Sequence, residues 1–117
     1  MNDNAGRITR TQMSNNERAM RSRINQLVSE FGLLRGSLLV RKRLCGHAGC
    51  RCRTKGERHE SLALQVSIEG RSRQFHVPKA MREEVRAWVE NYQEVRALLD
   101  QVSEIYLDKM SKKKTRD

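Results

Sequence analysis

The sequence predicts an α+β fold. It comprises an N-terminal helix, a Cys/His loop acting as a zinc clasp, a two-stranded β-hairpin with room for a third short strand before it, and a long C-terminal amphipathic helix. Three observations predict it. Apolar residues recur at intervals of three and four near both ends of the chain, which is the period of a helix with one buried face. Between Leu62 and Ile68 they alternate instead, which is the period of a strand. All three cysteines, Cys45, Cys50 and Cys52, fall between these regions in a run too rich in Gly, Arg and Lys to make a core.

Residues 1–13 are polar with no sustained apolar period, so a flexible arm is expected there. Ser14-Asn15-Asn16-Glu17 has the Ser-x-x-Glu spacing of a capping box and should start the first helix. Met20, Ile24, Leu27, Phe31 and Leu34 form its apolar stripe with Val28 on the flank, and Gly32 and Gly36 weaken its end, placing the stop near Arg35. Ser37 to Leu44 reads as either a first strand or an extended lead-in to the cysteines.

Leu62, Leu64, Val66 and Ile68 should then occupy one face of a strand that turns at Glu69-Gly70, a tight connection. This pairs Ile68 with Arg71, Val66 with Arg73, Leu64 with Phe75 and Leu62 with Val77. The other face carries Gln65, Ser67, Ser72, Gln74 and His76. Pro78 fits the first position of a helix, where its missing N–H costs nothing. From Met81 through Val85, Trp88, Tyr92, Val95, Leu99 and Val102 to Tyr106 the apolar stripe is unbroken, with Glu83 and Glu84 early and Lys109, Lys112, Lys113 and Lys114 late to complement the helix dipole. A helix from Lys79 to about Ser111 would run about 50 Å against roughly 33 Å for the first. The stripe formed by Leu98, Leu99, Val102, Ile105 and Tyr106 is therefore expected to meet another surface, most simply a second copy of the chain. A single domain over residues 14–111 and a basic tail over 112–117 complete the layout.

The cysteine run also carries chemistry. An odd number of thiols behind the polar start Met1-Asn2-Asp3-Asn4 disfavours a disulfide framework, and a soluble, cytoplasmic protein would keep them reduced. Cys45-x4-Cys50-x-Cys52-x6-His59 supplies three thiolates and an imidazole, a donor set that closes a tetrahedral structural zinc site. His47 competes with His59 for the fourth position, and His76 belongs to the polar strand face. Without zinc the same run is three free thiols on a basic loop. Arg41, Lys42, Arg43, Arg51, Arg53, Lys55 and Arg58 surround these thiols and favour their ionisation.

A formal net charge of +10 points to a polyanionic partner. The basic run together with Arg71 and Arg73 at the hairpin tip suits the phosphate backbone of nucleic acid. No apolar run approaches the roughly 20 residues that cross a bilayer, and no basic helix has a bulky apolar face free for lipid, so a membrane partner is not expected. Few aromatics are available to stack unpaired bases, which argues against single-strand recognition, and an RNA-binding module is the alternative nucleic-acid reading. Catalysis is not expected, since no nucleophile with an orienting triad, paired acids or phosphate-cradling Gly loop is present. The competing non-enzymatic reading is an adaptor that docks another protein through the C-terminal helix.

Gly36-Ser37-Leu38, Cys45-Gly46 with Cys50-Arg51-Cys52, His59, Val77-Pro78, Glu84-Val85 and Trp88-Val89-Glu90-Asn91-Tyr92 together resemble an uncharacterised family of small bacterial and archaeal proteins. Its members carry a C-G-K-x-x-C-x-C cluster, an H-G-P-Y-Y segment and a V-P-K helix start, and are often encoded near transposases. The resemblance runs roughly from Gly36 to Ile105. Here His47 stands where the family has Lys, and Glu60-Ser61-Leu62 replaces the segment after His59. The resemblance implies association with mobile DNA, with a transposase as a possible partner, and implies no established activity.

Overall fold

The computed structural model describes residues 6–43 and 59–114. Its elements are helix α1 (Asn15–Glu30), strands β1 (Ser37–Arg43), β2 (His59–Ile68) and β3 (Arg71–Val77), and helix α2 (Arg82–Lys114), with 3₁₀ turns at Arg10–Gln12 and Lys79–Met81. The α+β class and the element order follow the sequence expectation, and the segment before the cysteines is a strand. The three strands form one antiparallel sheet in the order β1-β2-β3. The cysteine run, with Cys45, Cys50 and Cys52, lies outside the described residues.

The chain divides into two compact units. One comprises Met1–Gly32 and Gln93–Asp117, the other Leu33–Tyr92, so α2 contributes its first turns to the second unit and its remainder to the first.

In the sheet unit, register follows the alternation. Leu62 pairs with Val77, Leu64 with Phe75, Val66 with Arg73 and Ile68 with Arg71. On the other side, Leu38 pairs with Leu64 and Val40 with Leu62. Paired residues share a face, and this face packs under the start of α2: Leu62, Leu64, Val66, Val77, Val85 and Val89 are buried, with Leu34, Leu38, Ile68, Met81 and Trp88 against them. The opposite face carries Gln65, whose Nε2 donates to Ser72 Oγ at 2.8 Å. The turn at Glu69-Gly70 holds both residues at positive φ, 51° and 78°, the geometry whose twist matches the flanking strands. Gly36 has φ 137°, and a Cβ there would stand 2.8 Å from Gln65 O and 2.9 Å from Leu64 Cδ1. Only glycine lets the chain enter the sheet this closely.

Three helix boundaries differ from expectation, the simplest being the end of α2, which runs to Lys114 and takes in the first residues expected in the tail. α1 stops at Glu30, because Phe31 turns extended at φ −120° and ψ 151° while its N–H still caps Leu27 O. Leaving the helix frees Leu34 to reach the sheet core, where its N–H donates to Trp88 O at 3.1 Å. At the other junction Pro78 precedes a 3₁₀ turn, and the α-helix proper begins at Arg82.

The other unit is an antiparallel pair, α1 against the later turns of α2. Ser14 Oγ accepts from Glu17 N at 3.1 Å, so half of the expected capping box forms. The Glu17 carboxylate makes a different pair of bonds, described below. Upstream, the arm expected to lack structure holds a turn: Thr9 N donates to Gln12 Oε1 at 2.8 Å and Gln12 N to Thr9 O at 3.0 Å.

Candidate functional site

β1 ends and β2 begins at residues that face each other, since Arg43 pairs with His59. The cysteine-bearing segment therefore leaves and re-enters the sheet at adjacent points, and His59 starts a strand as the segment's return. Cys45, Cys50 and Cys52, and with them Arg51, Arg53, Lys55, Arg58 and the alternative ligand His47, lie outside the described residues. Among the described residues no group of three or more metal-ligating side chains gathers.

The predicted nucleic-acid contacts among the described residues fall in two places. Arg41 and Lys42 stand beside the cysteine segment, Arg41 opposite Ser61 and Lys42 opposite Glu60. Lys42 Nζ lies 3.5 Å from Glu60 Oε1, an exposed pair that contributes little to stability. Arg71 and Arg73 occupy the far end of the sheet, opposite Ile68 and Val66. Between Ser61 and Ile68 the strand advances about 23 Å. Strand parity also puts Arg41 on the open face and Arg71 and Arg73 on the face that α2 partly covers. Lys42, one residue on, shares the face of Arg71 and Arg73, so the four cations are divided between the two ends of the sheet, with Arg41 on the other face.

At the Arg71 end the sheet holds a feature that periodicity alone did not reveal. A groove of about 390 Å³ is lined by Leu34, Arg35, Leu64, Val66, Ile68 and Phe75. Phe75 faces Leu64 as expected but remains 41% exposed because β3 is an edge strand. The Arg73 guanidinium sits over its ring, 5.2 Å from the centroid. Arg35 arrives at the groove because α1 stops early, a boundary that no residue spacing marked.

In the helical unit, the residues expected to form a partner interface are only partly free. Tyr106 Oη donates to Glu17 Oε2 at 2.6 Å and accepts from Arg21 Nη2 at 2.9 Å. Arg21 Nε donates to the same carboxylate oxygen at 2.8 Å. Leu99 and Val102 line a cleft of about 160 Å³ with Arg21, Ile24 and Asn25 of α1. The stripe expected to lack a partner within the chain thus meets α1, because α1 packs on the later part of α2 while the sheet takes the first part. Leu98, Val102, Ile105 and Tyr106 are half-buried, whereas Leu99, Leu107 and Met110 stay exposed.

Glu17 itself is buried. The hydrogen bond from Tyr106 holds its carboxyl below the usual range against the opposing effect of burial, and Arg21 adds to the lowering. Tyr106 moves the other way, its hydroxyl raised by the bond to Glu17 and by burial. Nearer the loop end of α1, Arg23 clamps Glu94 through two bonds of 2.8 and 3.1 Å, which lower the Glu94 carboxyl and raise the Arg23 guanidinium.

No helix among the described residues is long and apolar enough to cross a membrane. No curated protein and no solved structure matches this chain significantly. A family model does match, that of a domain of unknown function, DUF6788, over residues 17–87, from the first turn of α1 through the whole sheet into α2. The match covers more than half of the chain, which therefore belongs to the DUF6788 family.

Proposed function

We propose that this protein binds nucleic acid without catalysing a reaction on it, and takes DNA in preference to RNA. The observation that carries the reading is the net charge of +10 together with the exposure of Arg71 and Arg73 and of Lys42 on the sheet. A surface of this kind condenses on phosphate and releases counterions. In this reading Cys45, Cys50, Cys52 and His59 hold a structural zinc ion. The pairing of Arg43 with His59 supports it, because it brings the two ends of the ligand-bearing segment together. Arg51, Arg53, Lys55 and Arg58 then add to Arg41, Lys42 and Arg43 as phosphate contacts. The preference for DNA rests on the resemblance to proteins encoded beside transposases.

Binding of this kind weakens steeply as salt rises. Fluorescence anisotropy on a labelled oligonucleotide across a salt series tests it, alongside the double variant Arg51→Glu/Arg53→Glu. Affinity indifferent to both salt and charge reversal would remove the reading.

The exposed Leu99, Leu107 and Met110 support a second element, association through α2. A homodimer is the expected form. The adaptor reading instead gives this surface to another protein, such as a transposase. Light scattering on the isolated chain separates them: a stable dimer favours self-association, and a monomer favours the adaptor.

A further inference from the structure

Three cations border the groove at the hairpin tip, and its floor and one wall are apolar. Leu64, Val66 and Ile68 of β2 make the floor, Leu34 and Arg35 one side, and Phe75 the other. Arg71 pairs with Ile68, and Arg73 lies over the Phe75 ring. Arg35, Arg71 and Arg73 are exposed, and none of them forms an ion pair among the described residues. The 41% exposed Phe75 ring and the half-buried Leu34 and Ile68 thus stand beside three cations with no carboxylate partner among the described residues, and a ligand apolar in one part and anionic in another would cover both.

The ligand that matches is flat, apolar on its faces and attached to negative charge. We propose that this groove receives an unpaired nucleotide, its base against the Phe75 ring and the aliphatic floor and its flanking phosphates against Arg35, Arg71 and Arg73. The proposal rests on the nucleic-acid reading above and narrows it from duplex to single-stranded substrate at this position. Bases stack on aromatic rings and on guanidinium planes with little regard to sequence, and here both surfaces are offered together. The volume of about 390 Å³ lies within the usual range of small-molecule sites. The scarcity of aromatic residues is no obstacle, since one exposed ring with cations on its rim suffices for one base. The basic patch beside the cysteine segment, about 23 Å along the sheet, is left to contact backbone elsewhere on the same strand or duplex.

The test uses the full chain with an oligothymidylate of about 15 nucleotides, the matching duplex, and a single strand carrying one 2-aminopurine. The groove predicts tighter binding to the single strand than to the duplex, with quenching of the aminopurine. Phe75→Leu keeps the apolar wall but removes the ring, and should weaken single-strand binding about tenfold or more with little effect on duplex. Phe75→Tyr restores stacking and should restore affinity, which a merely structural role at this position would not require. Circular dichroism checks that each variant folds, and if Phe75→Leu does not, wild-type aminopurine quenching together with Arg73→Gln decides the matter.

Equal binding of single strand and duplex, indifferent to Phe75→Leu and without quenching, overturns the groove while leaving the broader nucleic-acid reading intact. Absence of binding to any oligonucleotide overturns both. Binding of a labelled oligoglutamate peptide that is lost in Phe75→Leu, with no competition from oligonucleotides, assigns the groove to an acidic peptide and overturns the nucleotide.

Discussion

Tyr106 donates its hydroxyl hydrogen to Glu17 across 2.6 Å, joining the first turn of α1 to the last third of α2. Arg21 closes the triangle by donating to both. The arrangement explains why Glu17, a carboxylate, is buried with Met20 and Leu27 along α1. A buried charge is tolerated when its lone pairs are taken by good donors.

The network makes the helical unit sensitive to pH at both ends. Glu17 has its carboxyl lowered on folding, so the stability it contributes is present above the ordinary carboxylate value of about 4.3 and disappears as pH falls through the lowered one. Tyr106 has its hydroxyl raised, so its contribution is present below the ordinary value of about 10 and is lost as pH climbs through the raised one. Thermal melting across this range should show a plateau between the two limits. Tyr106→Phe should lower the melting point by several degrees and remove the alkaline limb, and Glu94→Gln, which breaks a more exposed clamp, should cost less. An alkaline limb unchanged in Tyr106→Phe would assign it to other groups.

Gly36 is expected to resist substitution. Its positive φ adds backbone strain to a clash, because a side chain there would bring its Cβ within 2.8 Å of Gln65 O, a backbone atom that cannot swing away. Gly36→Ala should destabilise the sheet unit by about 1–3 kcal/mol, read from urea unfolding, with amide exchange rising first in β1. A loss near zero would show that β1 can shift outward freely.

Glu69 carries the opposite expectation. It adopts φ 51° in the turn between β2 and β3, a conformation that a glutamate takes only at some cost. Asparagine tolerates it better, so Glu69→Asn should stabilise the protein by about 0.5–1 kcal/mol. The gain should appear as a higher urea midpoint at constant slope. An unchanged or lower midpoint would mean that the carboxylate makes up for the strain elsewhere, for instance by offsetting Arg71 nearby.

Zinc removal gives a local readout. If Cys45, Cys50, Cys52 and His59 hold the metal, protein prepared without added zinc should contain about one ion per chain. Chelation should then raise amide exchange at Arg41 to Arg43 and His59 to Ser61, the paired strand ends, before it reaches the β2–β3 turn. Less than about half an ion per chain, or a fold indifferent to Cys50→Ser and Cys52→Ser, would argue for free thiols.

Local pattern carried much of the fold. The pairing of Leu62, Leu64, Val66 and Ile68 with Val77, Phe75, Arg73 and Arg71 was legible from alternation and a Glu-Gly turn, because strand parity and a short connection leave one register. The start of α1 was legible from Ser14, whose side chain caps it. Its end was not: Phe31 and Leu34 keep helical spacing, yet Leu34 is worth more over the sheet than in another turn. The candidate sites were less visible. Arg71 and Arg73 were marked by charge, but their separation from Arg41 depends on which end and which face of the sheet each occupies. The Phe75 groove depends on β3 being an edge, which no residue in β3 declares.

By itself, then, the amino-acid sequence determined the α+β class, the β2–β3 register and the two helices, which follow from interactions between near neighbours, and the basic character of the chain, which follows from composition. Tertiary structure alone decided what covers what. It divided α2 between the sheet and α1, turned Glu17 from a capping residue into the buried partner of Tyr106, and set Arg41 and Lys42 at the opposite end of the sheet from Arg71 and Arg73. The physical reason is the same in each case: period specifies that a face must be buried, whereas the competition among all apolar faces for cover specifies against which surface.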